Sequence, residues 1–331
     1  MADRSPRVLY ITGWMRSGST LLGNILGELP EVRHVGELHY LWRNGVLGRG
    51  SNSTCGCGAS LRTCPLWSGV LEESDGTGPE ATARRTAMRQ HALLRTRHVR
   101  TRLAEARGQV PAAPGVDELL DRTARIHRRL VDEGAGRLIV DGSKYPAEAA
   151  ALLGHRDLDV RVLHIVRDPR ATALSYRRAK QYIDPMSPVR SSGYWNAFNL
   201  ASELVGATAV GRYLRVRHED LCARPADVLT DVLRFAGLDD EPPVDARGRV
   251  HLGGNHTVTG NPDRLRQGLT EIRPDERWRT ELAPRDRATV TALTAPLLRR
   301  YGYPLLPGHG DRAHPTKAPA EPVPATAAEQ R

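Results

Sequence analysis

The sequence predicts an α/β fold, a mostly parallel central sheet flanked by helices, with one helical insertion. Short β-prone runs at Val8–Ile11, Val160–Val166 and Tyr213–Arg217 alternate with segments of helical periodicity, the pattern of parallel strands joined by crossover helices. The first run passes through a glycine turn straight into a helix, a junction that gathers backbone N–H groups at the positive end of a helix dipole. Hydrophobic content of 40% over 331 residues is enough for a sizeable core.

Taken in order, the junction reads Gly13-Trp-Met-Arg-Ser-Gly-Ser-Thr20. Its two glycines have the spacing of a phosphate-binding P-loop, G-x-x-x-x-G-K-[ST], but Ser19 stands where the lysine belongs and Arg16 sits inside the loop. Without that lysine the loop is poorly suited to a triphosphate, yet it keeps a backbone cradle for a smaller anion. A helix with Leu21, Leu22, Ile25, Leu26 and Leu29 follows, then a short strand-like run in Pro30–Leu38. Residues 48–64 read as irregular. Pro79–Arg107 is basic and helix-prone, and Asp117–Glu133 is a second helix with Leu119, Leu120, Ile126, Leu130 and Val131 on one face. This pair, about residues 79–135, reads as an insertion over an acceptor site.

The α/β pattern resumes with a strand at Arg137–Val140 ending in Asp141-Gly-Ser-Lys-Tyr-Pro146, then a helix to Leu153. Val160–Val166 is the most apolar run and is expected as a central buried strand. It ends in Arg167-Asp-Pro-Arg170, where Asp168 can cap a helix with Pro169 in its first turn. Helices are expected over Gly193–Val210, Pro225–Ala236 (stopped at Gly237) and Pro284–Tyr301, with a polar loop at Gly253–Gly268. One domain is expected over residues 1–306, and a disordered Pro/Ala-rich tail over 307–331.

A net charge of +10 fits an anionic partner, but the basic stretch at 84–107 has no interleaved aromatic residues to stack bases, so nucleic acid is not expected. No stretch reaches the roughly 18 apolar residues of a membrane span, and Met1–Arg7 is short and polar, so a cytoplasmic location is expected. Cys55, Cys57 and Cys64 cluster in sequence. As a zinc site they lack a fourth ligand, since Cys222 is distant and His39 only conceivable; free thiols and no metal are expected, with a structural disulfide or a zinc site as the lesser alternatives.

Two segments carry a family resemblance. Arg16-Ser-Gly-Ser-Thr-Leu-Leu22 resembles the 5′-phosphosulfate-binding loop of sulfotransferases. Val162-Leu-His-Ile-Val-Arg-Asp-Pro-Arg-Ala-Thr-Ala-Leu-Ser-Tyr176 resembles their 3′-phosphate-binding element, with Arg167 and Ser175 at the family's eight-residue separation. Arg217-His-Glu-Asp-Leu221 before Pro225 is similar to the family's Tyr-Glu-Asp-Leu…Pro segment, with His218 in place of Tyr. Asn255–Arg264 and Asp275-Glu-Arg-Trp278 look like bacterial members. The resemblance covers about residues 7–302 and is weakest over 45–135.

It implies a P-loop-like sulfotransferase fold and 3′-phosphoadenosine-5′-phosphosulfate (PAPS) as co-substrate. The activity implied is in-line sulfuryl transfer, without a metal, to a hydroxyl on a carbohydrate, glycolipid or small natural product. That donor has one 5′-phosphate carrying sulfate, one 3′-phosphate and no γ-phosphate, in keeping with the missing lysine. The resemblance assigns Arg16, Ser17, Gly18, Ser19 and Thr20 to the 5′-phosphosulfate and Arg167 and Ser175 to the 3′-phosphate. It assigns Arg264 to a loop closing over the nucleotide. Glu37 resembles the glutamate base of Golgi tyrosylprotein sulfotransferases. Cytosolic members use a histidine in a Lys-Thr-His segment, where this chain has Ser143-Lys-Tyr-Pro146. Glu37 is therefore the candidate base, with His39 beside it as the alternative, and Lys144 the candidate electrostatic catalyst. The rival readings are a divergent P-loop small-molecule kinase and a non-catalytic nucleotide-binding module.

Overall fold

The computed structural model describes residues 5–50, 52–71, 78–134, 136–177 and 184–305. Five strands form its main sheet: β1 (Arg7–Thr12), β2 (Val32–Gly36), β3 (Leu138–Lys144), β4 (Asp159–Val166) and β5 (Tyr213–Arg217). Their order is β2-β3-β1-β4-β5, and every pairing is parallel. The chain runs from β1 outward to β2, and later crosses from β3 over β1 to β4. The order therefore reverses at β1, and the crevice outside its carboxyl end is where such a sheet accepts ligands. Two short strands, β6 (Arg249–Leu252) and β7 (Gly268–Glu271), make a separate antiparallel pair.

The alternation of side chains along β1 explains the layers. Val8 through Ile11 are all 0% exposed, because both faces of the sheet are covered. Leu9 and Ile11 pack with Leu22, Ile25 and Leu26 of the helix Ser19–Leu26 and with Val228 and Val232 of the helix Pro225–Ala236. Val8 and Tyr10 pack on the other side with Leu103, Leu119, Ala150 and Val205. Burying an aliphatic side chain of this size contributes about 1.5–3 kcal/mol, so the continuous run of β1 anchors both layers.

Three boundaries differ from the sequence reading. The strand at Arg137–Val140 continues through Lys144, since Asp141 and Lys144 still pair with Tyr10 and Thr12. The helix expected from Gly193 begins at Pro188, where Ser187 Oγ accepts from the Arg190 N–H and proline suits the first helical position. The basic segment splits into helices Pro79–Leu93 and Val99–Ala106, followed by Val116–Asp132.

The placement of these three helices corrects an expectation. They do not roof a site: Leu94, Val99, Leu103, Val116 and Leu119 are buried in one cluster with β1, β4 and the helix Pro146–Leu153, and none of these helices lines the main cleft. The apolar stripe seen in the sequence needs an apolar partner, and the sheet face supplies it. The tail from residue 307 lies outside the described residues. Among the described residues no helix is long and apolar enough to cross a membrane.

Candidate active site

The carboxyl ends of the five parallel strands open into a cleft of about 1440 Å³. One drug-sized ligand needs roughly 300–1,000 Å³, so the cleft has room for two substrates side by side. Each strand end supplies something to it: the Gly13–Thr20 loop after β1, Glu37 after β2, Lys144 closing β3, Arg167 after β4 and His218 after β5.

The loop is tight and braced from behind. Ser17 Oγ donates to the Trp14 carbonyl at 2.7 Å, so its hydroxyl turns inward and only its backbone faces an anion. Ser19 and Thr20 line the cleft at the start of the helix, where unpaired N–H groups point outward. Gly18 has φ +90, and a Cβ there would lie 2.3 Å from His218 Nδ1. The imidazole thus sits directly under the loop. Burial pushes its pKa down to about 3, with the Arg167 charge acting in the same direction, and its Nδ1 meets no hydrogen-bond partner among the described residues. Trp14 stacks with Tyr176 and Tyr194 at centroid distances of 5.6 and 5.1 Å, a rigid aromatic base beneath the turn.

Arg16 joins the two predicted phosphate elements. Its Nε donates to Ser175 Oγ at 3.0 Å, and its carbonyl accepts from Arg167 Nη1 at 2.9 Å. Asp168 caps the next helix by accepting from the Arg170 N–H at 2.8 Å, and the same carboxylate clamps the Arg170 guanidinium. Arg170 is further stacked 4.3 Å over Trp278 and is spent on packing. Arg167 is the one left facing the cleft, with Nη2 3.5 Å from Asp275. The Arg277 hydrogen bond, and then the Arg167 charge, hold Asp275 well below the usual carboxylate range.

Beside the loop, on the neighbouring strand end, Lys144 Nζ donates to the Glu37 carboxylate and to the Gly142 carbonyl at 3.1 Å. The two side chains are only 7% and 14% exposed. Glu37 is fixed through its backbone: its N–H donates to the Val258 carbonyl at 3.0 Å, and its carbonyl accepts from Thr259 Oγ1 at 2.9 Å. Gly36 permits this approach, because a Cβ there would lie 2.1 Å from the Val258 oxygen. Among the described residues, Arg16, Lys144 and Thr259 are the non-glycine residues with positive φ, at 70, 74 and 52. All three border this site, and such conformations cost about 1–3 kcal/mol each.

His39 is placed elsewhere. It is buried, its Nδ1 lies 2.8 Å from Glu148 Oε2, and its ring stacks 4.1 Å from Tyr145. It belongs to a polar network behind the cleft in which Tyr10 donates to Glu148 at 3.0 Å and Ser143 donates to Asp141. Burial, followed by the Glu148 charge, pushes Asp141 up to about 7. The network anchors residue 39 and leaves Glu37 as the candidate base at the cleft.

Arg264 borders a small recess of the site together with Ser19, Thr20, Glu37 and Lys144, but its guanidinium is engaged by the protein itself. Its guanidinium donates to the carbonyls of Thr257 and Thr54, both at 2.9 Å, and it is 2% exposed. It ties two loops together, and the main cleft is also lined by Arg266, Arg273 and Arg277 from that part of the chain, with Arg43 and Arg49 in the lining as well. These were missed because their segments show no periodicity in the sequence, in a chain already carrying 48 Lys and Arg.

No family model matches the chain. Carbohydrate sulfotransferase 3 of Homo sapiens is 28% identical over 167 residues, and that of Mus musculus 27% over 166; each match takes in 45% of this chain. The chain spans about a third (34%) of the length of these curated relatives. Among solved structures, the sulfotransferase domain from the Synechococcus PCC 7002 olefin synthase aligns with a TM-score of 0.54 at 23% identity, covering 92% of this chain and 98% of its own. The sulfotransferase domain from the curacin biosynthetic pathway aligns with a TM-score of 0.55 at 19% identity, covering 91% and 99%. The fold is thus shared over nearly the whole chain, and the resemblance to sulfotransferases is borne out in fold.

Proposed function

From a chain that has the sulfotransferase fold and a stretch of sequence similar to carbohydrate sulfotransferases, we propose an enzyme that moves a sulfuryl group from PAPS to a hydroxyl of a carbohydrate. The observation that carries this reading is the joining of the two anion elements through Arg16, in a cleft where the lysine comes from β3 and not from the loop. The residues fit the donor. The helix N-terminus with Ser19 and Thr20 suits the 5′-phosphosulfate, and the Arg167–Ser175 pair suits the 3′-phosphate.

In the transfer, the acceptor oxygen bonds to sulfur while the bond from sulfur to the 5′-phosphate oxygen breaks and its electron pair stays on the phosphate. Glu37 takes the acceptor proton. Protonation of Glu37 removes the partner that holds Lys144, so the ammonium becomes available to the phosphate oxygen as charge collects there. The base and the electrostatic catalyst are thereby coupled. The acceptor side of the cleft is polar, with Asn44, Asn52 and Asn261 among its lining residues, a surface suited to a polyhydroxylated molecule.

The test is binding and turnover with the purified protein. It should bind 3′,5′-phosphoadenosine at least about ten times more tightly than ATP, and should transfer labelled sulfate to an oligosaccharide. ATP binding of equal strength with Mg²⁺ dependence would overturn the reading in favour of a kinase.

A further inference from the structure

The cysteines at 55, 57 and 64 acquire a partner that no local spacing reveals. His256 Nδ1 lies 3.2 Å from Cys64 Sγ and 3.6 Å from Cys55 Sγ, across 192 residues of chain in the first case. Cys64 Sγ is 3.4 Å from Cys55 Sγ and 3.8 Å from Cys57 Sγ, and all four ligand atoms lie within 4.8 Å of one another. We propose that Cys55, Cys57, Cys64 and His256 bind a structural zinc ion that fastens the loop of residues 52–64 to the loop of residues 253–260.

Geometry separates this from the alternatives. Zn–S bonds of about 2.3 Å and Zn–N bonds of about 2.0–2.1 Å, set tetrahedrally, give edges of roughly 3.8 Å between sulfurs and roughly 3.5 Å between sulfur and nitrogen. The four contacts above fall on either side of those edges. A disulfide needs about 2.05 Å between sulfurs, and each of these cysteines is free. Three thiolates and an imidazole are a soft donor set that favours zinc over magnesium or calcium, and four protein ligands leave no open position, which marks a structural site. Cys55 and Cys64 are buried, while Cys57 is exposed and gives the ion an entry. On binding, three thiol protons pass to solvent and nothing is oxidised.

The backbone is already shaped for it. Gly58 N–H donates to the Cys55 carbonyl at 2.9 Å, turning the chain between the first ligands, and Gly56 N–H donates to the Thr257 carbonyl at 2.9 Å. Trp67 Nε1 donates to the His256 carbonyl at 2.7 Å. Two residues after His256, Val258 makes the backbone contacts that fix Glu37. The ion therefore supports one wall of the cleft from outside it. This zinc site takes up one of the lesser sequence alternatives, with a fourth ligand that is neither Cys222 nor His39.

Protein purified without chelator from zinc-supplemented medium should carry about one zinc per chain by elemental mass spectrometry. Cobalt substituted for it should show the strong visible bands of a tetrahedral thiolate site. Cys64→Ser and His256→Ala should each lose most of the metal and melt at lower temperature. Zinc below about a tenth of an equivalent with no cobalt bands overturns the proposal, as does stoichiometric iron or a Cys55–Cys64 cross-link found by peptide mass. If both variants fail to fold, the cobalt titration of the wild-type chain decides alone. None of these measurements involves the donor nucleotide, so a negative result leaves the transfer reading standing, and loss of transfer leaves this one standing.

Discussion

The two walls of the cleft are built by opposite means. One wall consists of strand ends: the Gly13–Thr20 loop, Lys144 and Arg167 each follow directly from a strand buried in the sheet. The other consists of residues 43–50, 52 and 260–277, which come from loops, two short helical segments and part of a short hairpin, and are held by contacts between distant segments. A side chain at a strand end inherits its position from the sheet, and the backbone can be forced into costly conformations there, as at Arg16 and Lys144. A loop wall has no such scaffold. It needs cross-links, here the Arg264 guanidinium on two carbonyls and the Cys/His cluster beside it.

The sharpest way to break that contrast is to alter the chemistry on the strand-end wall. Lys144→Ala and Glu37→Gln should each lower kcat by about 10²–10⁴ while leaving 3′,5′-phosphoadenosine affinity within a few fold. Retention of more than about a tenth of wild-type turnover by both variants would dismiss this pair as the catalytic residues.

Next in size is Arg167→Ala, which removes a charged contact worth about 1.5–3 kcal/mol and should weaken 3′,5′-phosphoadenosine binding roughly 10- to 100-fold, read by calorimetry. Arg264→Met is its control on the loop wall. That change strands two buried carbonyls at about 1–3 kcal/mol each, so the melting temperature should drop while nucleotide affinity stays near wild type. Equal losses of nucleotide affinity in the two variants would return Arg264 to a donor-binding role.

The smallest effect concerns the network behind the cleft. Asp141 is pushed from 3.8 up to about 7, so the folded state binds its proton more tightly than the unfolded state does. Its contribution is present at low pH and is lost as pH rises from about 4 to about 7. His34, His127 and His218 are pushed down by burial to about 3, 4 and 3, and work the other way, costing stability as pH falls below about 6.5. Asp141→Asn isolates the first effect: its melting temperature minus that of wild type should rise with pH between 5 and 8. A difference that stays flat with pH removes Asp141 from the balance.

Legibility in the sequence followed the same division. Gly13–Thr20, Lys144 and Arg167 sit beside apolar β-runs, and a strand end in a parallel sheet points to the ligand crevice whatever the rest of the chain does. Glu37 could be read from its place after a short strand, whereas His39, two residues on, could not be told from it until the turn beyond β2 placed it against Glu148. Arg264 and Arg266 look alike in sequence. Only the path of the loop decides that one spends its guanidinium on two carbonyls beside the site and the other lines the main cleft. The helices between Pro79 and Asp132 were legible as helices but not as part of the sheet's covering layer, because periodicity reveals an apolar face and not its partner. His256 was invisible as a ligand for the plainest reason, its distance along the chain from the cysteines it meets.

The positive φ angles at Arg16 and Lys144 bear on how this protein can be altered. The backbone at both positions would be more comfortable with glycine, while the proposed chemistry requires a cationic side chain. Screening variants for heat resistance alone should therefore rank Lys144→Gly above Lys144→Ala, by about 0.4–1 kcal/mol or more, although neither can supply the ammonium. Directed evolution would meet opposed pressures at these same two codons, one from folding and one from turnover, and a selection that reads only the first would discard the second.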